Sequence, residues 1–135
     1  MEPIVLYDCD QVTVWYYPDK KIIHHKMHKF VHGEHFHNAL MAGAEAMEKY
    51  GAIKWLSDDT NNPVYDPADI EWGNQNWQPR VLKAGWKYWA VVRPESYLSQ
   101  LRMMKLVEMY KSLGVTVELF TDAEEAMKWL EKQGE

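Results

Sequence analysis

The chain has 135 residues, a net charge of −5, 47% hydrophobic and 26% charged residues, a balance that suits one domain around one core and excludes a disordered chain. Its basic residues are scattered without a stripe, so nucleic acid is not an expected partner, and no apolar run approaches the ~20 residues that span a bilayer. The lone Cys9 rules out an internal disulfide and fits a reducing compartment, and Met1 is followed by Glu2-Pro3 rather than a basic and then apolar leader, so a cytoplasmic location is expected.

The first third of the chain reads as strands. Ile4 to Tyr7 is short and apolar, Val12 to Tyr17 is β-branched and aromatic, "PDKK" at 18–21 is a turn, and Ile22 to Met27 resumes the extended pattern, giving a small antiparallel meander. A helix is expected from Gly33 to Tyr50, with Phe36, Leu40, Gly43, Ala44, Met47 and Tyr50 on one face. Ala39, Ala42 and Ala46 line its flank, and Gly51 ends it. Ile53 to Ser57 is the next strand. Asp66-Pro67 has the form of an N-cap followed by a proline in the first turn, and opens a helix carrying Ile70, Trp77 and Val81 on one face and Trp72 away from it. Pro79 predicts a kink or break near Gln78. Lys87 to Val92 is apolar on both faces, as a central strand should be. A helix over 94–113 ends at Gly114, and Val115 to Phe120 alternates as a half-exposed strand nearer the sheet edge. Thr121 with Glu124 has the spacing of a capping box before a last helix that buries Ala123, Ala126, Met127 and Leu130.

The order predicts an α/β fold: antiparallel N-terminal strands and then parallel β-α units with about four helices, in a single domain over 1–135. The segments "KWLSDD.NN", "EW....W.PR", "AGWKYWAVV.PES" and "GVTVELFTDAEEAMKWL" together resemble the bacterial SpoIIAA-like proteins of the STAS and CRAL-TRIO superfamily, over about Tyr16 to Leu130. That resemblance implies a STAS-like mixed sheet with helices and little about activity; STAS domains proper are non-enzymatic regulatory modules. STAS domains proper carry a phosphorylated serine in a short Asp-Ser loop after a strand. The nearest hydroxyls here are Ser57 and Thr60, in a longer loop without the Asp-Ser-Ser-Gly pattern, and Thr60 is the loose positional match. The CRAL-TRIO branch binds lipids in an apolar cavity.

Ligands of open α/β sheets gather beyond the carboxyl ends of the parallel strands. Of those ends the loop after Ser57 is the richest in donors and acceptors, with Asp58, Asp59, Thr60, Asn61 and Asn62. One expectation is a polar rim over a pocket walled by Trp72 or Trp77, with Arg80 available for an anion. The plainer expectation is a long turn whose Asp and Asn side chains bond nearby backbone. Adjacent aspartates lack the spacing of a phosphoryl-transfer metal site, so neither a metal nor a cofactor is expected. The six histidines between His24 and His37 contain no i,i+4 helical pair and read as a partly exposed, pH-sensitive surface. Cys9, between Asp8 and Asp10, does not suit a nucleophile, because carboxylates repel a thiolate.

The helix over 97–113 has Met103, Leu106, Val107, Tyr110 and Leu113 on its expected core face, yet Tyr97, Leu101 and Met104 project from nearly the opposite side. Such a stripe marks a second packing layer or another chain. Trp129, off the core face of the last helix, is placed in the same region. The function expected is therefore a non-catalytic binding or regulatory module, homodimeric or bound to a protein partner through Tyr97, Leu101 and Met104. The alternative is a carrier of a small apolar or amphipathic ligand, with Trp72 and Trp77 as wall and the 58–62 loop as mouth. A hydrolase-type enzyme comes third, and its mark would be Asp58 or Asp59 meeting a histidine or Arg80 at hydrogen-bond distance.

Overall fold

The computed structural model describes residues 2–62 and 64–134, so Pro63 of the polar loop lies outside the described residues. Six strands form one mixed sheet in the order β1-β2-β3-β4-β5-β6. β1 (Ile4–Asp8), β2 (Val12–Tyr17) and β3 (Ile22–Met27) are an antiparallel meander, with a register shift between Val5 and Tyr7. β3, β4 (Lys54–Asp58), β5 (Tyr88–Val92) and β6 (Thr116–Phe120) are parallel. The α/β fold with antiparallel strands first and parallel units after is as the residue pattern predicts.

Helix α1 (Gly33–Tyr50) connects β3 to β4. Between β4 and β5 the chain runs through α2 (Pro67–Trp72), a π-helical turn (Gly73–Trp77) and α3 (Gln78–Lys83) without leaving helical backbone angles. Helix α4 (Tyr97–Ser112) leads to β6, and α5 (Ala123–Lys132) follows it. Counting α2, the π turn and α3 as one rod, four helices surround the sheet.

Consecutive parallel strands laid side by side through crossovers of one hand place all the crossover helices on one face. On that face Val14, Ile23, Trp55, Trp89, Val91 and Val117 pack against α1, α3 and α4. Only α5, which follows the last strand, is free to cover the other face, where Ala126 and Leu130 close over Ile22, Leu56, Ala90 and Val92. Burial on both faces explains the continuous apolar run of β5.

Two local expectations are corrected. The cap of α5 is Asp122, whose carboxylate accepts from the Glu124 amide, and not Thr121, because the chain is still extended at Asp122. The interruption expected near Gln78 takes the form of the π-helical turn: the Gln78 amide reaches back to the Gly73 carbonyl, and Pro79 falls in the first turn of α3, where its missing N–H costs nothing. Leu113 is exposed rather than in the core, since α4 ends one residue earlier.

Candidate functional site

The end of β4 and the loop after it give their two aspartates different partners. The Asp58 carboxylate accepts from the Thr60 amide at 3.2 Å and the Thr60 hydroxyl at 2.7 Å, closing a tight turn, with Asn61 exposed beside it. Asp59 is fully buried, and its amide donates to the Val92 carbonyl at 3.2 Å. Its Oδ1 lies 2.8 Å from His25 Nε2, and its Oδ2 accepts the Tyr65 hydroxyl. His25 comes from β3, where alternation places Ile23, His25 and Met27 on the helix-covered face.

The proton positions follow from Trp55, whose indole Nε1 donates to His25 Nδ1 at 3.0 Å. An indole N–H only donates, so Nδ1 offers its lone pair and Nε2 carries the proton given to Asp59. His25 is thereby held neutral in one tautomer. Burial, followed by the Asp59 charge, raises the Tyr65 phenol well above its ordinary range, so it too stays protonated and donates. Tryptophan, histidine, aspartate and tyrosine thus form one closed chain of buried hydrogen bonds.

Beside this chain lies a cavity of about 50 Å³, room for a few waters or a narrow apolar group. Trp55, Trp77, Trp89 and Tyr110 form its aromatic wall, with Phe36 and Leu40 from α1. The rings meet largely edge to face: Trp55 and Trp77 at 5.3 Å and 86°, Trp89 and Tyr110 at 5.4 Å and 79°. Trp89 Nε1 donates to the Ser57 hydroxyl at 2.8 Å and Trp86 Nε1 to the Tyr88 carbonyl at 3.1 Å, but the buried Trp77 Nε1 has no partner. A second, larger space of about 520 Å³ is a groove between the start of the α2 rod and α4. Tyr65, Ile70, Asn74 and Leu106 line both spaces, so the cavity lies directly behind the groove.

The predicted site residues distribute unevenly. Trp77 is part of the cavity wall, and Asn62, 2% exposed, lines the groove with its Oδ1 accepting from the Val31 amide and its Nδ2 unpartnered. Trp72 is not a wall: its ring stacks on His37, centroids 4.0 Å apart. Arg80 is not available for an anion at this site, because its guanidinium grips Glu48, with Nε to Oε2 at 3.1 Å, and it lines neither space. Ser57 is buried under the Trp89 indole, and Thr60 donates to Asp58, so both hydroxyls near the loop are engaged.

Five of the six histidines keep the partial exposure expected of them, and His25 does not. His25 is 4% exposed, and His37 Nε2 lies 2.9 Å from Asp69, whose other oxygen caps the Gly33 amide of α1 at 3.0 Å. His24 sits by Tyr17 and His35 by Tyr7. Among the described residues no group of three or more His, Cys, Asp or Glu side chains gathers as a metal site would. The residues that sequence reasoning missed are His25, Trp55, Tyr65, Asp69 and Trp89. A signal existed for His25, which alternates with Ile23 and Met27; none existed for Tyr65 or Asp69, whose partners are 6 and 32 residues away. Comparison with family models, with curated proteins and with solved structures finds no match.

Proposed function

We propose that this protein is a non-catalytic binding module that holds a small apolar or amphipathic ligand in the groove between α2 and α4, with a narrow end of that ligand in the tryptophan-walled cavity behind it. The observation that carries this reading is the shared wall of the two spaces, with an unpartnered Trp77 N–H at the inner one. The enzyme reading has its mark, since Asp59 does meet His25 at 2.8 Å. Yet a general base needs a free nitrogen, and both nitrogens of His25 are engaged, one by Asp59 and one by Trp55. The resemblance to SpoIIAA-like proteins also favours a non-catalytic role, because the STAS modules it points to are not enzymes.

The test is a titration with 1-octanol followed by tryptophan fluorescence and thermal unfolding, together with native mass spectrometry of protein purified from cells. Binding raises the melting temperature with octanol concentration, and Leu106→Trp, which fills the shared wall, removes the response. No effect of octanol and no retained mass would sink the proposal.

A second reading has its own observation. Tyr97, Leu101 and Met104 on α4 are 73%, 46% and 39% exposed, with Leu98 at 56% beside them. Large apolar side chains grouped on one exposed helix face support self-association, or docking of a protein partner, through that face.

A further inference from the structure

The chemistry of the groove is one-sided. Among the residues that line it there is no Asp or Glu, although the chain has 20 acidic residues. Two cations, Arg102 and Lys105, stand on its α4 side, one turn apart and exposed, and among the described residues neither is in an ion pair. Asn62, on the loop side, is 2% exposed: its Oδ1 accepts from the Val31 amide, and its Nδ2 is buried beneath the groove surface. The charged side chains that line the groove are therefore both cations.

The inner end has the opposite character. Asp59 and Asp69 are buried there, 0% and 4% exposed, and their oxygens are already taken by His25 and Tyr65 and by His37 and the Gly33 amide. Tyr65 and Asp69 themselves line the cavity. An anion pushed inwards would approach two carboxylates in a low-dielectric setting, which is strongly unfavourable. An alkyl end meets aromatic rings instead.

Resting on the binding role proposed above, we infer that the ligand is an acid: an amphipathic molecule whose anionic head sits at the groove mouth on Arg102 and Lys105, and whose apolar tail points towards Trp77. The field of the site sets this direction, because cations line the outside and fixed carboxylates lie within. Met103, Leu106 and Met109 supply an adaptable apolar floor between the two ends.

The experiment compares sodium octanoate with 1-octanol, equal in chain length and different in charge, by fluorescence titration at low salt and neutral pH. Octanoate should bind about tenfold tighter than octanol, the factor that one charge-assisted contact contributes. The double variant Arg102→Glu/Lys105→Glu, at exposed positions that do not disturb the core, should lose that preference, with octanoate weakened about tenfold or more relative to octanol. Arg102→Gln/Lys105→Gln should fall between. Equal affinity for the two probes would overturn the acid inference and leave the binding role standing. Octanoate preference that survives charge reversal would show the head group to lie elsewhere and overturn the assignment. Failure of both probes would remove the inference and the binding role together.

Discussion

Asp59 holds a negative charge inside the protein with only neutral partners. His25 is kept neutral by the Trp55 N–H, and Tyr65 is kept protonated by burial and by Asp59 itself. The charge persists because two donors and the surrounding dipoles replace the water it lost. Removing the acceptor strands both donors, so Asp59→Ala should lower unfolding free energy by about 3 kcal/mol or more in urea denaturation; a loss under about 1 kcal/mol would mean that the buried chain of bonds contributes little. His24, on the opposite face of β3, behaves differently. Its ring lies against Trp15 and Tyr17, and its Nε2 is buried without a partner. Burial above all lowers its pKa to about 4, with Asp58 pulling the other way. The unfolded chain therefore binds a proton that the folded one refuses between about 6.5 and 4. Stability from this group is full above that window and is lost as pH falls through it, by roughly 3 kcal/mol at most. Denaturation of wild type and His24→Gln at pH 7 and pH 5 should show the smaller pH dependence in the variant.

At the scale of elements, close approach of α1 to the sheet builds the cavity. A Cβ on Gly43 would come within 2.2 Å of the Trp55 ring, so only glycine lets that indole approach the helix so closely with its N–H on His25. Gly43→Ala should cost about 1–3 kcal/mol despite its better helix propensity, read as a lowered urea midpoint, and should shift tryptophan emission as Trp55 moves. An unchanged or raised midpoint would show that Trp55 can give way freely. The α2 rod solves a related problem. Its π-helical turn inserts extra rotation ahead of Pro79, which brings Trp77 into the cavity and leaves Trp72 on His37. Asp66 starts the rod by accepting from the Ala68 amide, and Asp69, one turn on, reaches across to cap α1. The two helices are thus registered by a cap that belongs to neither one alone.

For the whole molecule, the sheet order decides what is left uncovered. Three crossover connections occupy one face and α5 the other, so α4, above the last parallel strands, keeps one side on the sheet, one flank on the groove and a third side in solvent. No helix among the described residues is long and apolar enough to cross a membrane. Sedimentation velocity should show a dimer at tens of micromolar that Leu101→Lys/Met104→Lys converts to a monomer. A monomeric wild type at that concentration would remove the self-association reading. It would leave the groove, on a different flank, untouched.

The periodicity of residues determined the strands, the helices and their order, because alternation by two or by 3.6 is a property of neighbouring residues and of backbone geometry alone. The same local logic identified Asp66 as a cap, Gly51 as a helix end, and the polar loop after β4 as a strand end first. What it did not determine was which of that loop's two aspartates turns inwards. That choice belongs to His25 and Tyr65, which reach Asp59 only once β3 lies beside β4 and the loop folds back. Arg80 and Trp72 were misplaced for the same reason, since Glu48 and His37 claim them from another helix. Polar side chains and indoles are directed by partners distant in sequence, and only the tertiary structure decides who those partners are.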